Sequence, residues 1–361
     1  MADVRPFRAA RYDEAAAGPL EQLVAPPYDV LDEAQRDAYR ARSPHNVVHL
    51  TLPDSEEAAA EAWRAWQRAG VLVRDDEPSL WVLVQDYVGP DGVARARTGL
   101  VASLRVEPYE RGVVLPHERT HRGPKEGRLR LLRATRVQLE PIFLLYDGPG
   151  ALSVPERPPD LAAEGARLWR LEDDVRDAFA DRQLLIADGH HRYETALAFH
   201  QQEGTEESAW MMVVLVSTED PGLTIFPTHR VFDGTLPDES LGFGDARPDV
   251  RDALADLEEL SYDTAAFVRY ERRSPQLVAT SDARPDVFVI DRLGHEGIAY
   301  TPDWREAVRR VDAGEASVAY LLRPTRIEDV FAVARRGEVM PPKSTYFFPK
   351  LLSGLLFHPL G

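Results

Sequence analysis

An α/β protein built on a mixed sheet is the fold class that this sequence predicts, and three observations predict it. Short apolar runs of strand length recur along the chain, as at residues 81–88, 141–146 and 211–216. They interleave with stretches of helical periodicity, such as residues 55–69 and 190–203. Glycine- and proline-bearing turns, Gly89-Pro-Asp-Gly92 and Gly148-Pro-Gly150 among them, punctuate the two. Four regions are expected: a mixed α/β region at 1–146, a linker or exposed loop at 147–160, a core at 161–244, and a smaller α/β region with a terminal loop at 245–361.

Each element has its own local reason. Residues 55–69 begin with acids, end with arginines and are followed by Gly70, the order that the helix dipole and a glycine C-cap favour. The strands 81–88 and 94–106 flank Gly89-Pro-Asp-Gly92 and are expected to form an antiparallel hairpin. A strand at 141–146, a helix near 172–181, a strand at 183–187 and a helix at 190–203 follow. Residues 209–217 and 223–226 read as a pair of strands around Asp220-Pro-Gly222. Beyond 245 the expectation is a helix at 248–260, short strands at 276–280, 286–291 and 297–300, a helix at 304–313, a strand at 317–322 and a helix at 326–335.

Composition narrows the function. The 361 residues carry 43 Lys+Arg against 60 Asp+Glu, a formal charge of −17 that opposes the phosphate neutralisation on which nucleic-acid binding depends. Neither a nucleic-acid nor a membrane partner is expected. With no cysteine, thiolate catalysis, iron–sulfur ligation and cysteine zinc sites are excluded. The N-terminus is charged from Asp3 onward and the longest apolar runs are strand-sized, so a soluble cytoplasmic protein is the expectation.

The segment 184–197 carries the sharpest chemistry. An apolar strand runs into Asp188-Gly189-His190-His191-Arg192 and then into a helix, placing unpaired N–H groups, two imidazoles and a guanidinium where an anion docks. Asp188 alone would also read as a helix N-cap. A second cluster is His117-Glu118-Arg119-Thr120-His121, which matches the HExxH pattern of zinc peptidases. Pro116 before it and Gly123-Pro124 after it deny it the long helix which that chemistry needs. Read instead as a loop, it puts Glu118 in place to accept a proton or hold a metal. Lys125, Arg128, Arg130 and Arg133 then serve either to neutralise a polyphosphate or as an ordinary charged helix face.

Three further segments are decorated turns. Pro26-Pro27 stiffens the backbone ahead of Tyr28 and Asp29, with Asp29 also placed to cap a helix at 32–42. Ser43-Pro-His45-Asn46 is a second such turn. Met340–Lys350, in which Pro341-Pro342 leaves Lys343, Ser344 and Thr345 on a stiff loop, is a third, suited either to a charged ligand or to a terminal aromatic plug with incidental lysines. No Walker A, GxGxxG or GxSxG motif is present, so a nucleotide would have to be held by other means.

Taken together, the segments at 24–30, 43–47, 117–120, 187–193 and 340–345 closely resemble a widespread prokaryotic family catalogued only as a domain of unknown function, whose members are often labelled ParB-like. The Asp-Gly-His-His-Arg stretch is similar to the phosphate-binding segment of the ParB/sulfiredoxin superfamily. That superfamily includes sulfiredoxins, CTP-binding partition proteins and free-serine kinases. The resemblance implies a ParB/sulfiredoxin-like core with large additions, in which Asp188, Gly189, His190 and Arg192 contact nucleotide phosphates and His117-Glu118 supplies the acid that activates a substrate hydroxyl. In this chain those two motifs stand 70 positions apart, with strands and a linker between them.

The combined expectation is phosphoryl transfer from ADP or ATP, with Mg²⁺, to a small hydroxyl compound. Glu118 is the base, Asp188 a metal ligand or orienting acid, and His191 stands with them. Gly189, His190, Arg192, Lys125, Arg128, Lys343, Ser344 and Thr345 hold the nucleotide. Tyr28, Asp29, His45, Asn46 and His117 face the substrate. A nucleotide-responsive binding protein without turnover is the alternative, and metal-dependent hydrolysis at residues 117–121 a third.

Overall fold

The computed structural model describes residues 2–120, 122–233, 241, 244–271, 273–294 and 296–361, without the side chains of Arg122 and Pro124. The chain divides into two compact units. One comprises Met1–Gly89, Ala94–Leu223 and Pro349–Gly361; the other comprises Pro90–Val93 and Thr224–Phe348. These limits do not coincide with divisions at 146, 160 and 244. Residues 147–160 form no regular element and lie inside the first unit.

Among the described residues the first unit is organised on a nine-stranded mixed sheet. From one edge the order is Val114–Leu115, Leu184–Asp188, Ile142–Tyr146, Trp210–Ser217, Ala94–Arg105, Trp81–Val88, Ala166–Arg170 and Leu161–Ala163, with Val4–Arg5 also on Ala94–Arg105. Trp81–Val88 and Ala94–Arg105 pair antiparallel, as their spacing predicts. Trp210–Ser217 runs parallel to Ile142–Tyr146, and Leu184–Asp188 parallel to Val114–Leu115; the remaining pairs are antiparallel. Every residue of Trp210–Ser217 and of Ile142–Tyr146 is buried, the continuous apolar pattern of strands covered on both faces.

The helix His190–Glu203 packs against Ile142–Tyr146 and Trp210–Ser217, and the helix Arg122–Thr135 packs against His190–Glu203. The register between Leu184–Asp188 and Ile142–Tyr146 slips by one residue after Ile186, so Asp188 rather than Ala187 stands opposite Phe143. Such a bulge re-aims the side chains that follow it. The Pro349–Gly361 segment closes the unit: Ser353 bridges to Ala25, Phe357 to Ala10, and His358–Pro359 pairs with Val137–Gln138.

The second unit holds an antiparallel sheet ordered Asp245–Ala246, Ser274–Ala279, Ala266–Glu271, Val318–Leu322, His229–Phe232 and Ile298–Thr301. Helices Val250–Glu259 and Trp304–Asp312 contribute Ala253, Leu257, Ala307 and Val311 to its core. Thr224–Phe226 pairs with Tyr346–Phe348, and not with Trp210–Ser217. Among the described residues no helix is long and apolar enough to cross a membrane.

Three local expectations are corrected. Residues 286–291 are not a strand: Asp286–Ile290 is a helix that starts directly after the extended Pro285, with Asp286 drawn inward onto Arg323 at 2.6 Å. The helix near 172–181 shrinks to a single 3₁₀ turn, Arg176–Phe179, in a stretch where acids crowd without an apolar stripe. The helix Glu33–Arg42 is capped by Asp32, not Asp29, through a reciprocal pair with Gln35.

Candidate functional site

The site is assembled around the junction of Leu184–Asp188 with the helix His190–Glu203. Gly189 sits between them at φ +99°, a left-handed conformation that glycine adopts without strain. A β-carbon there would meet Ile142 Cγ2 at 2.6 Å, so the position is closed on steric grounds as well. No side chain caps the helix that Gly189 opens, which leaves its first N–H groups to water or a ligand.

Asp188 is not an N-cap. Its Oδ1 accepts from Lys350 Nζ at 2.5 Å and its Oδ2 from Arg192 Nη2 at 2.7 Å. Burial by itself would raise this carboxyl, but the nearby Lys350 and then Arg192 outweigh it and hold its pKa to about 2. Arg192, buried and held charged by Asp188 and Glu140, spends Nη1 on the Pro141 carbonyl and leaves Nε without a partner. Its fork therefore braces Asp188 against the neighbouring strand.

The two motifs that lie 70 positions apart in sequence meet here. The His117 backbone N–H donates to His190 Nε2 at 3.2 Å, and the two rings pack edge to face with centroids 4.7 Å apart. His117 Nδ1 donates to the Ile186 carbonyl at 2.6 Å, which assigns its proton to that nitrogen. Burial pushes His117 down to about 4 and His190 well below its ordinary value; the Ile186 carbonyl and Asp188 pull His117 the other way, and Asp188 does so for His190, without offsetting it. Both imidazoles are neutral near pH 7. They supply hydrogen bonds and not charge.

Glu118 follows in the same loop, half-buried. Residues 117–120 are irregular, so the helix that zinc peptidase chemistry needs is missing there; His121 lies outside the described residues. The loop is fastened to the helix through Glu194, whose Oε2 accepts from Thr120 Oγ1 at 2.8 Å and from Lys125 Nζ at 3.0 Å. His190 and Glu194 are four residues apart and so share the helix face toward this loop.

A further wall comes from the N-terminal turn Tyr28–Val30. The Tyr28 N–H donates to Glu140 Oε1 at 3.1 Å, an oxygen that also accepts from Ser353 Oγ at 2.7 Å. Arg128 lies 3.4 Å over the Tyr28 ring and donates to the Thr51 carbonyl. The Asp29 carboxyl makes no hydrogen bond or ion pair among the described residues. Protein crowding around it raises its pKa, Asp188 and Glu140 push the same way, and Arg192 and Lys350 oppose them. A cleft of about 370 Å³ opens beside Tyr28 and Arg128 and runs along residues 51–56.

Apart from His191, the remaining predicted residues are placed elsewhere. Asn46 is fully buried, with Nδ2 on the Gln22 and Val24 carbonyls and Oδ1 on the Val48 N–H, which ties two N-terminal turns together. His45 packs edge-on against Trp66. Lys343, Ser344 and Thr345 belong to the second unit, where Ser344 is buried with its hydroxyl on the Pro341 carbonyl. His191 is half-buried on the first turn of the 190–203 helix. Sequence reasoning missed Glu140, Glu194 and Lys350.

The model of a family described as a protein of unknown function (DUF1015) matches residues 4–246. No curated protein matches the chain. Among solved structures, the chain is similar to a free serine kinase in complex with AMP, at 18% identity over 67% of this chain and 89% of that one, with a TM-score of 0.40. A conserved hypothetical protein from Pyrococcus furiosus is similar at 18% identity over 67% and 92%, with a TM-score of 0.38. SbnI with a C-terminal truncation, from Staphylococcus aureus, is similar at 12% identity over 71% and 87%, with a TM-score of 0.33.

Proposed function

The chain belongs to the DUF1015 family of proteins of unknown function, and from that premise we propose that it transfers a phosphoryl group from a nucleotide to the hydroxyl of a small metabolite. The observation that carries this reading is the His117 N–H bond to His190, which lays the His117-Glu118 segment beside the open start of the 190–203 helix. An acid and an anion-binding helix terminus are the two parts that such a transfer needs side by side.

In this reading the phosphates rest on the first N–H groups of the helix, with the helix dipole behind them. Lys350 and Lys125 bring positive charge to the same end. Glu118 takes the proton of the acceptor hydroxyl as its oxygen bonds to phosphorus and the bond to the leaving phosphate breaks. Asp188 and Arg192 orient the junction, and neutral His117 and His190 hold the loop against it. Catalysis is positioning and charge neutralisation rather than covalent chemistry by the protein.

Magnesium does not fit as a resident ion. Among the described residues no three histidine, aspartate or glutamate side chains gather to hold a metal, and both Asp188 oxygens are already taken by cations. A divalent ion that arrives on the nucleotide phosphates is part of the substrate, and no protein step runs through it.

Thermal-shift titrations with ADP, ATP and CTP, followed by a phosphate-transfer assay on serine and related alcohols, test the proposal. Glu118→Gln is expected to lower turnover by about 100-fold or more, as loss of a general base does, while nucleotide binding persists. Full turnover in that variant would remove Glu118 from the mechanism. Nucleotide binding by the native protein without any product would instead make it a nucleotide-responsive binding protein.

A further inference from the structure

Basic residues in this chain are almost all arginine. Of 43 Lys+Arg, only three are lysine, at 125, 343 and 350. Both lysines of the first unit lie at the candidate site, each on a residue of the 188–194 stretch: Lys350 on Asp188 and Lys125 on Glu194. In a chain that uses arginine nearly everywhere, two of the three lysines stand at these points. Guanidinium and ammonium are not interchangeable where a compact charge with donors in three directions is needed, because the guanidinium is planar and locks onto one carboxylate as a fork.

The surroundings of Lys350 fit that need. Its backbone is pinned, since its carbonyl accepts from Gln85 Nε2 at 3.2 Å and the Pro349 carbonyl accepts from Arg97 Nη2 at 2.7 Å. Arg97 is buried against the Phe143 ring, so it cannot follow a ligand. The Lys350 side chain is 22% exposed, and among the described residues its ammonium has Asp188 Oδ1 as its one hydrogen-bond partner. Two of its three N–H donors are therefore available beside the uncapped helix start. Arg192 already occupies the other Asp188 oxygen in the way an arginine does.

Resting on the nucleotide reading above, we propose that Lys350 is a ligand-binding residue whose ammonium bridges Asp188 and a phosphate oxygen of the bound nucleotide, a place that arginine cannot fill. The chain's return from the second unit at Pro349 then completes the site, beyond the residues 4–246 that the family model spans.

The scarcity of lysine makes the test direct. The native protein is acylated with an amine-reactive ester, alone and with saturating ATP or inorganic pyrophosphate, and each lysine is followed by peptide mass spectrometry. ATP is expected to slow acylation of Lys350 about tenfold or more, because only the unliganded fraction reacts. An Arg64→Lys variant, on an exposed helix position, provides a reference amine whose rate should not change. Lys350→Arg, with unchanged melting temperature in the absence of ligand, is expected to weaken ATP binding about tenfold, the loss of one charge-assisted hydrogen bond.

If ATP binds while Lys350 acylates at its free rate, the lysine assignment is overturned and the nucleotide reading survives. If ATP fails to bind but pyrophosphate protects Lys350, the lysine assignment stands and the nucleotide reading falls. Protection by neither overturns the assignment outright. A Lys350→Arg variant that misfolds leaves the acylation of the native protein to decide.

Discussion

The Asp188 carboxylate is shared by two cations from distant parts of the chain, and its own charge is what holds them together. Asp188→Asn keeps the shape and removes that charge, leaving Arg192 and Lys350 facing each other in a largely buried place. Loss of one partner from a buried pair commonly destabilises by about 3–5 kcal/mol, so the urea midpoint should fall clearly. An unchanged midpoint would mean that solvent already screens the pair. At this scale the motif was legible and its wiring was not. Asp188 also read as a helix cap, the secondary reading, because capping is what Asp often does at such a junction. Its real partners stand 4 and 162 positions away, and the second distance leaves no periodic signal in a sequence.

At the scale of elements, the turn at Gly189 links the bulged strand to the helix, and its geometry decides where every later side chain points. Gly189→Ala would combine a left-handed backbone with a β-carbon 2.6 Å from Ile142 Cγ2. A destabilisation of about 2–3 kcal/mol is expected from strain and contact together, with weakened ligand binding, read by denaturant titration. Wild-type stability in that variant would show that the strand and helix can shift independently. The strand before Gly189 and the helix at 190–203 were predicted because a short apolar run ends at a glycine and gives way to polar residues that open a helix. Asp286–Ile290 was misread because five apolar-rich residues fit either period; it is a helix, with Asp286 drawn inward onto Arg323.

For the whole molecule, four buried histidines set the response to acid. His117 and His229 are pushed down to about 4, His358 to about 3 and His190 well below its ordinary value, in each case mainly by burial. Since the unfolded chain binds these protons near pH 6.5, each histidine supports the fold fully above that pH. That support is lost as pH falls toward 4, at about 1.4 kcal/mol per pH unit per group. Burial raises the Asp29 and Asp220 carboxyls, which act in the opposite sense, but the imidazoles outnumber them. Unfolding midpoints should therefore fall steadily from pH 7 to pH 5; a flat or rising profile would contradict the neutral-imidazole assignment. The sequence alone determined the α/β class and most long elements, because local periodicity and turn chemistry are written residue by residue, whereas the two motifs were paired through the family resemblance. Tertiary structure alone decided that residues 224–348 form a separate unit, that the chain returns at Pro349, and that Lys350, Glu140 and Glu194 face the site. Contacts across such separations depend on how the sheet stacks its strands, and that order has no local signature.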